Sequence, residues 1–252
     1  MTSPLTLPRL SWGHPAAARR ALLVHGLGSS GALMWRVGTA LADAGWHASA
    51  VDLRGHGSAP RALDYTVSAY ASDLVATAPE GGGAWDVVIG HSLGGAASVV
   101  ASAAHPLWAA RLVLIDPGIV VAGRDSEIVR NSQQRAFADT SEDAVRAEHP
   151  GWHPHDIELK ALAAQQASRW AVEQTSAQNV PWDVSAAARQ VAVPTHVLGA
   201  DPAVYSLFTG EVAEGILAAN PRFTHAIVPG AGHSPHRDEP DETIRMLLEI
   251  LA

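Results

Sequence analysis

The sequence predicts an α/β fold: a mostly parallel sheet covered by helices on both faces, with a helical segment inserted late in the chain. Three observations lead to this prediction. Short runs rich in leucine and β-branched residues alternate with alanine-rich helical stretches. The 252 residues are 47% apolar, which is enough to fill one large core. The interval 118–189 has a helical pattern but no convincing strand, and loops of that length are rare in compact domains.

The elements follow one another in the order that such a sheet needs. The predicted strands are the apolar runs at 21–25, 47–53, 86–90, 111–116, 195–200 and 225–229. The predicted helices are the stretches at 33–44, 67–78, 93–104, 207–218 and 242–251. Gly45 is suited to end the first helix, and Pro240 and Asp241 are suited to begin the last. We therefore divide the chain into a core (1–117 and 190–252) and a helical cap (118–189).

Charge and composition exclude several classes of partner and site. The net charge is −8 with no basic stripe, so neither nucleic acid nor an anionic membrane surface is expected as a partner. The absence of cysteine excludes disulfides, thiolate metal sites and a cysteine nucleophile. No apolar run is long enough to span a membrane, and the N-terminus lacks the pattern of a secretory signal. We expect a cytoplasmic protein, and the sequence leaves its oligomeric state open.

The hexapeptide GHSLGG at 90–95 is the most informative motif. It follows an apolar strand and precedes a helix of small residues, which is the context of a nucleophile elbow. In such a turn the serine, here Ser92, takes a strained conformation that lifts its hydroxyl clear of the sheet. Residues two before and two after it must be small, and Gly90 and Gly94 satisfy this requirement. The motif predicts a serine nucleophile.

A serine nucleophile needs a base, and the base needs an acid that orients it. The base is expected to be His233, in the glycine-rich loop after the last predicted strand. The acid is expected to be Asp201, at the end of the preceding strand, which gives the chain order Ser92, Asp201, His233. The loop after the first central strand, HGLGSS at 25–30, lets the Leu27 amide point at a developing oxyanion. The Leu93 amide, next to the nucleophile, is the expected second donor.

These motifs together resemble the α/β-hydrolase superfamily. The matching segments are HGLGSS at 25–30, DLRGHGS at 52–58, GHSLGG at 90–95, and GH at 232–233 followed by EP at 239–240. The resemblance implies a sheet of seven or eight strands with a helical cap inserted after the sixth. Only about twenty residues precede the first central strand, so one family strand is expected to be missing or very short. The loop that holds Asp201 is one residue shorter than in the family, and in some relatives the acid follows the sixth strand, where Asp116 lies.

Five aromatic or histidine side chains are candidates for substrate binding: Trp35, His91, Trp152, Trp170 and Trp182. The cap tryptophans suit an apolar cleft, although they suit a cap core equally well. In the family, histidines like His25 and His56 support loops, and we expect the same here. His149, His153 and His155 have a spacing that zinc can use, but no carboxylate or cysteine completes the set, and no metal is expected. Two residues near the histidine loop are expected at the surface: His236 and Arg237.

The sequence therefore predicts a serine hydrolase that cleaves a carboxylic ester through an acyl-enzyme, without a cofactor. A cap with few charges and several tryptophans suggests a small to medium, mostly apolar substrate. The same residues would serve a lactonase, an amidase or a carbon–carbon bond hydrolase. The resemblance also leaves open two other classes: a cofactor-free lyase or oxygenase, and a receptor for small molecules.

Overall fold

A seven-stranded sheet forms the centre of the molecule. The structure is a computed structural model and describes residues 3–252. The strands of this sheet are β1 (Arg9–Trp12), β2 (Arg19–Val24), β3 (Trp46–Val51), β4 (Val87–His91), β5 (Leu112–Ile115), β8 (Thr195–Gly199) and β9 (Phe223–Ile227). Two short strands, β6 (Val120–Val121) and β7 (Trp182–Asp183), pair with each other outside this sheet. The sheet order is β1-β3-β2-β4-β5-β8-β9, and only the β1–β3 pair is antiparallel. The predicted fold, a mostly parallel sheet of seven or eight strands, is confirmed.

Helices flank the sheet in the predicted alternation. A short 3-10 turn (Gly31–Met34) leads into the first of them. The helices are α1 (Trp35–Asp43), α2 (Val67–Ala76), α3 (Leu93–Ala104), α4 (Gly123–Ala138), α5 (Glu142–Glu148), α6 (Pro154–Gln166), α7 (Arg169–Gln178), α8 (Ser185–Gln190), α9 (Gly210–Ala219), α10 (Pro235–Asp238) and α11 (Pro240–Leu251).

The sheet divides the core into two layers. Side chains alternate between the faces of a strand, so Leu22 and Val24 of β2 pack with α2 and α3 on one face. Ala21 and Leu23 of the same strand pack with α1 and α11 on the other. Both faces of the central strands are therefore buried, which explains why these strands are apolar throughout.

The segment between β5 and β8 forms the helical insertion that the sequence predicts. Four helices, α4 to α7, make up most of it. The expectation of no strand in this interval is wrong at its two ends, because β6 and β7 form a two-residue antiparallel ladder. This ladder brings the two ends of the helical segment together beside the sheet.

One edge of the sheet collects the chain segments that carry the sequence motifs. Strands β2, β4, β5, β8 and β9 run parallel, so their carboxyl ends meet at the same edge. In open α/β sheets, ligands bind in the crevice beyond this edge. The helices of the insertion cover it from above, and hydrogen bonds join them to the core at several points, such as Trp35 Nε1 to Asp156 Oδ1 at 2.8 Å.

Candidate active site

Ser92 lies in a sharp turn between β4 and α3. Its backbone has φ 52° and ψ −116°, a conformation that residues other than glycine rarely adopt. A β-carbon on Gly90 would lie 2.7 Å from the carbonyl oxygen of Gly94, and one on Gly94 would lie 2.6 Å from that of His25. Both distances are too short for real atoms, so the two glycines permit the turn. The geometry is that of a nucleophile elbow.

His233 stands beside the serine hydroxyl. Its Nε2 is 2.9 Å from Ser92 Oγ, within hydrogen-bond distance. Its side chain is 24% exposed, so it borders the space above the sheet edge. His91, the residue before the serine, donates from Nε2 to the carbonyl oxygen of His233 at 2.7 Å and so holds the histidine loop. The arrangement allows His233 to take the proton of Ser92.

Asp116, at the end of β5, is the acid that touches His233. The Nδ1–H of His233 donates to Asp116 Oδ2 over 2.6 Å. The side chain of Asp116 is buried. Its backbone has φ 37°, a strained value that persists only where surrounding contacts fix the residue. Besides His233, four donors reach its carboxylate: the Ser206 hydroxyl and the backbone amides of Ala200, Leu207 and Phe208.

The surroundings of Asp116 keep it ionised. Burial alone would raise its pKa, but the hydrogen bonds from His233, Ser206 and Leu207 outweigh this effect and lower the pKa. The same hydrogen bonds explain a shifted helix boundary. Because Leu207 and Phe208 direct their amides at this carboxylate, α9 begins at Gly210 instead of at the predicted 207.

The expected acid, Asp201, lies elsewhere, and the structure corrects this expectation. Its Oδ2 accepts from the Gly230 amide at 2.9 Å, and its Oδ1 from the Ala203 amide at 2.9 Å. These backbone hydrogen bonds lower the pKa of Asp201. Gly230 has φ 76° and begins the turn that leads to His233. Asp201 therefore shapes the histidine loop, and the contact with the imidazole comes from Asp116.

The loop after β2 lies against the serine. A β-carbon on Gly26 would lie 3.0 Å from the Cβ of Ser92, which shows how closely the two segments approach. Leu27 follows in this loop and borders the space next to Ser92. Leu93 is the first residue of α3, where backbone amides have no helical acceptor. Both predicted oxyanion donors thus belong to segments that adjoin the nucleophile.

His25 and His56 support this loop as neutral rings. His25 donates from Nδ1 to the Gly26 carbonyl at 2.7 Å, and its Nε2 accepts from the Leu53 amide at 3.1 Å. The Gly28 amide donates to Nε2 of His56 at 3.1 Å. Burial lowers the pKa of His25 to about 4 and that of His56 to about 3. Each ring is therefore fixed in one tautomer, with its Nε2 as an acceptor.

A cavity of about 510 Å³ opens between the sheet edge and the cap. Ser92 and His233 lie on its wall, together with Leu27, His91 and Trp152. The volume falls in the range of small-molecule sites, roughly 300–1,000 Å³. The cap helix α4 and the loop between α5 and α6 form the opposite wall.

Three of the five predicted substrate contacts lie outside this cavity. The Trp35 indole donates to Asp156 of α6, so it joins the cap to the core. Trp170 is 45% exposed and packs edge-on against Tyr65. Trp182 is buried and donates from Nε1 to the carbonyl oxygen of Gly118, beside the short ladder. Packing thus accounts for all three, whereas His91 and Trp152 line the cavity.

Sequence reasoning missed the cationic side chains in the cavity wall, Arg237 and Lys160 among them. Arg237, expected at the surface, is only 5% exposed and faces the cavity from α10. The neighbouring His236 is also buried. Lys160 faces the cavity from α6 and donates to the Gly28 carbonyl at 2.8 Å. A helical pattern with one lysine on a polar cap gives no sign of this position. The cleft is therefore less apolar than its tryptophans suggested.

The three cap histidines each have a separate neighbour. His149 stacks on Trp152 with ring centroids 3.8 Å apart, His153 caps α6, and His155 pairs with Glu158. Over residues 3–252, no three His, Cys, Asp or Glu side chains are grouped so that they could hold a metal ion. In that same range no helix is both long and apolar enough to cross a membrane.

Comparison with known proteins agrees with this architecture. The sequence model of the Alpha/beta hydrolase family matches residues 21–246. The chain is 37% identical over 116 residues to the lipase LipV of Mycobacterium tuberculosis. The aligned segment covers 46% of this chain and 44% of the lipase. This chain therefore spans less than half of the lipase it matches.

Two further proteins match over nearly the whole chain. The 2-(acetamidomethylene)succinate hydrolase of Mesorhizobium japonicum is 26% identical over 249 residues, 91% of this chain and 87% of that protein. The solved structure of N-formylmaleamic acid deformylase from Pseudomonas putida superposes with a TM-score of 0.79 at 24% identity, over 96% of each chain. Identity that low demonstrates a shared fold and no more.

Proposed function

The chain belongs to the Alpha/beta hydrolase family, and we propose that it is a serine hydrolase that cleaves a carboxylic ester of a small to medium substrate. The observation that carries the proposal is the chain of contacts from Ser92 to His233 to Asp116, 2.9 Å and 2.6 Å long. A nucleophile, a base within hydrogen-bond reach and an acid that orients the base are the parts that acyl transfer needs.

In the first step, Ser92 attacks the carbonyl carbon of the ester while His233 takes the hydroxyl proton on Nε2. Asp116 holds the ring with its proton on Nδ1, so that Nε2 is free to act as the base. The negative charge that develops on the carbonyl oxygen is stabilised by the amides of Leu27 and Leu93. Such donors typically contribute about 10²- to 10³-fold each to the rate.

In the second step, His233 passes its proton to the leaving alcohol and the acyl group stays on Ser92. Water then enters, gives a proton to the same Nε2 and attacks the acyl carbon. His233 returns this proton to Ser92 Oγ as the carboxylic acid leaves, which restores both the serine and the base. All proton transfers use side chains of the chain itself, and the proposal needs no cofactor.

A second candidate is hydrolysis of an amide bond by the same residues. It is favoured by the similarity over 91% of the chain to a protein named for an acetamidomethylene substrate. The lipase match favours an ester but covers only 46% of the chain. An amide leaving group needs a proton at the moment it departs, and His233 supplies one in either case.

The test is a series of initial rates on 4-nitrophenyl esters of increasing acyl length. Ser92→Ala should abolish turnover, whereas Ser132→Ala, a matched control from the same cavity wall, should keep it. A burst of 4-nitrophenol equal to the enzyme concentration would support the acyl-enzyme. Turnover that survives Ser92→Ala would refute the proposal. Turnover that depends on Ser92 but shows no burst would mean that acylation limits the rate, and tight binding without any turnover would favour a receptor.

A further inference from the structure

Arg237 is a buried cation with unused donors in the wall of the catalytic cavity. It lies on α10, four residues after His233, and is 5% exposed. Its Nη2 donates to the Ser234 hydroxyl at 2.7 Å, and its guanidinium lies 4.8 Å from the Trp152 ring centroid. Across residues 3–252, no group accepts a hydrogen bond from its Nε or Nη1.

The carboxylates nearest to Arg237 are occupied by other donors. Asp238 accepts from the Trp152 indole at 2.7 Å and from the Ser234 amide at 3.2 Å. Asp156 accepts from the side chains of Trp35 and Arg36. A buried guanidinium that lacks a paired anion is costly, so proteins rarely keep one without a use for it.

Lys160 faces the same cavity from the cap. Its Nζ donates to the Gly28 carbonyl in the loop beside Ser92, which uses one of its three protons. Burial, and the positive charge of Arg237, lower the pKa of Lys160 to about 8, so the side chain is cationic at neutral pH. Its charged and titratable neighbours are Arg237, Glu148, His25, His56 and His149.

The charges on the cavity wall leave a positive excess. Three cations line it, Arg135, Lys160 and Arg237, against two carboxylates, Glu148 and Asp238. Arg135 and Glu148 pair with each other at 2.8 Å. The excess of one positive charge contrasts with the net charge of −8 of the whole chain.

We propose that Arg237 and Lys160 form a subsite for a carboxylate group of the substrate, so that the enzyme acts on carboxylate-bearing esters or amides. The inference rests on the proposed function, since it concerns the cavity that contains Ser92. Nη2 of Arg237 gives one of its two protons to Ser234, and the other is parallel to a proton of either the free Nε or the free Nη1. The guanidinium can therefore still bind both oxygens of a planar carboxylate. A monoanion also matches the single excess charge better than a phosphate dianion does.

The test compares two esters that differ only in the group at the end of the acyl chain. 4-Nitrophenyl hexanoate ends in a methyl group, and mono(4-nitrophenyl) adipate has the same chain length and ends in a carboxylate. The wild-type protein should favour the adipate ester in kcat/KM. Arg237→Gln should lower the ratio of the two kcat/KM values roughly 10- to 100-fold, the worth of a hydrogen-bonded charge pair. Lys160→Gln should lower the same ratio.

Controls separate binding from a structural role of Arg237. Arg146→Gln removes an exposed cap cation outside the cavity and should leave the ratio unchanged. Arg237→Lys keeps the charge and should restore part of the ratio. If Arg237→Gln slows both esters equally, the side chain serves packing and the proposal is overturned.

A second pair of substrates, 4-acetoxybenzoate and its methyl ester, places the charge on the leaving group. A wild type that prefers the anion in neither pair would also overturn the proposal.

A binding measurement does not depend on turnover. Calorimetry on the Ser92→Ala protein should detect adipate, and adding Arg237→Gln should weaken that binding roughly tenfold or more. Neutral adipamide should bind equally to both proteins. If Arg237→Gln leaves the affinity for adipate unchanged, the subsite is overturned even if esters are cleaved. Binding that depends on Arg237 supports it even if no ester is cleaved.

Discussion

Replacing Asp116 with asparagine should disable the site while nearly preserving its shape. All five groups around the carboxylate are hydrogen-bond donors. An amide offers one oxygen and one NH₂ group, and three of the five donors converge on Oδ1. The amide oxygen will therefore take the Oδ1 position, and the NH₂ group will face His233.

An NH₂ group in that position requires an acceptor on the histidine. The ring of His233 then carries its proton on Nε2, which faces Ser92 Oγ 2.9 Å away. A protonated nitrogen cannot take the serine proton, so the base is lost. The same inversion of tautomer in a serine protease lowers kcat about 10⁴-fold, which corresponds to about 5.4 kcal/mol of activation free energy. The amide of Leu207 also loses its acceptor, which should cost about 1–3 kcal/mol of stability.

Two assays measure the loss, and Asp201→Asn is the matched control. Turnover of a 4-nitrophenyl ester gives kcat, and the rate of Ser92 labelling by a fluorophosphonate gives nucleophilicity without a known substrate. Asp116→Asn should lower both by about 10⁴-fold. Asp201→Asn should lower either by no more than about tenfold, because it loses one of the two hydrogen bonds that its side chain makes to backbone amides but leaves the tautomer of His233 unchanged. Thermal unfolding checks that both variants are folded.

The opposite ranking would refute the reasoning. If Asp201→Asn lost more activity than Asp116→Asn, the histidine would have to swing toward β8 during turnover. If Asp116→Asn kept activity within tenfold of wild type, the 2.6 Å contact would be structural only.

Two further predictions follow from pKa values in and near the site. The pKa values of His25 and His56 fall from 6.5 to about 4 and about 3 on folding, so the unfolded chain binds more protons below pH 6.5. The free energy of unfolding should therefore decrease as pH is lowered below 6.5, by roughly 2 kcal/mol per histidine at pH 5. Equal urea midpoints at pH 7 and pH 5 would contradict this. Lys160, with a pKa of about 8, should lose its charge as pH rises to 9. KM for the adipate monoester should then rise roughly 5- to 10-fold, whereas Lys160→Arg should remove the rise.

The sequence predicts the sheet and the elbow well because their signals are local. An apolar strand, two glycines around a serine and a helix of small residues admit few other structures. The Ser92 turn requires small residues at fixed offsets, and these can be read directly from the chain. The roles of His25 and His56, by contrast, were inferred from the resemblance to the α/β-hydrolase superfamily.

The acid and the pocket wall depend on contacts between distant segments. Trp35 and Asp156 are 121 positions apart, and Arg237 meets Trp152 across 85 positions of chain. Nothing within a window of sequence distinguishes a tryptophan that docks a cap from one that lines a cleft. A charged residue such as Arg237 also carries no local sign of burial, since the cap that covers it lies elsewhere in the chain.

The choice between Asp201 and Asp116 shows why two acids compete for one histidine in this sheet. Strands β5 and β8 are parallel neighbours, with Ile115 opposite Leu198 in the register. Residues just beyond either strand therefore arrive at the same edge, within reach of the loop after β9. The strained turn at Asp116, with φ 37°, points its carboxylate into the sheet edge, where five donors meet it. Asp201 turns outward to Gly230 and fixes the loop that presents His233. Asp116 acts on the ring of the histidine and Asp201 on the loop that carries it, so only Asp116 can set the tautomer.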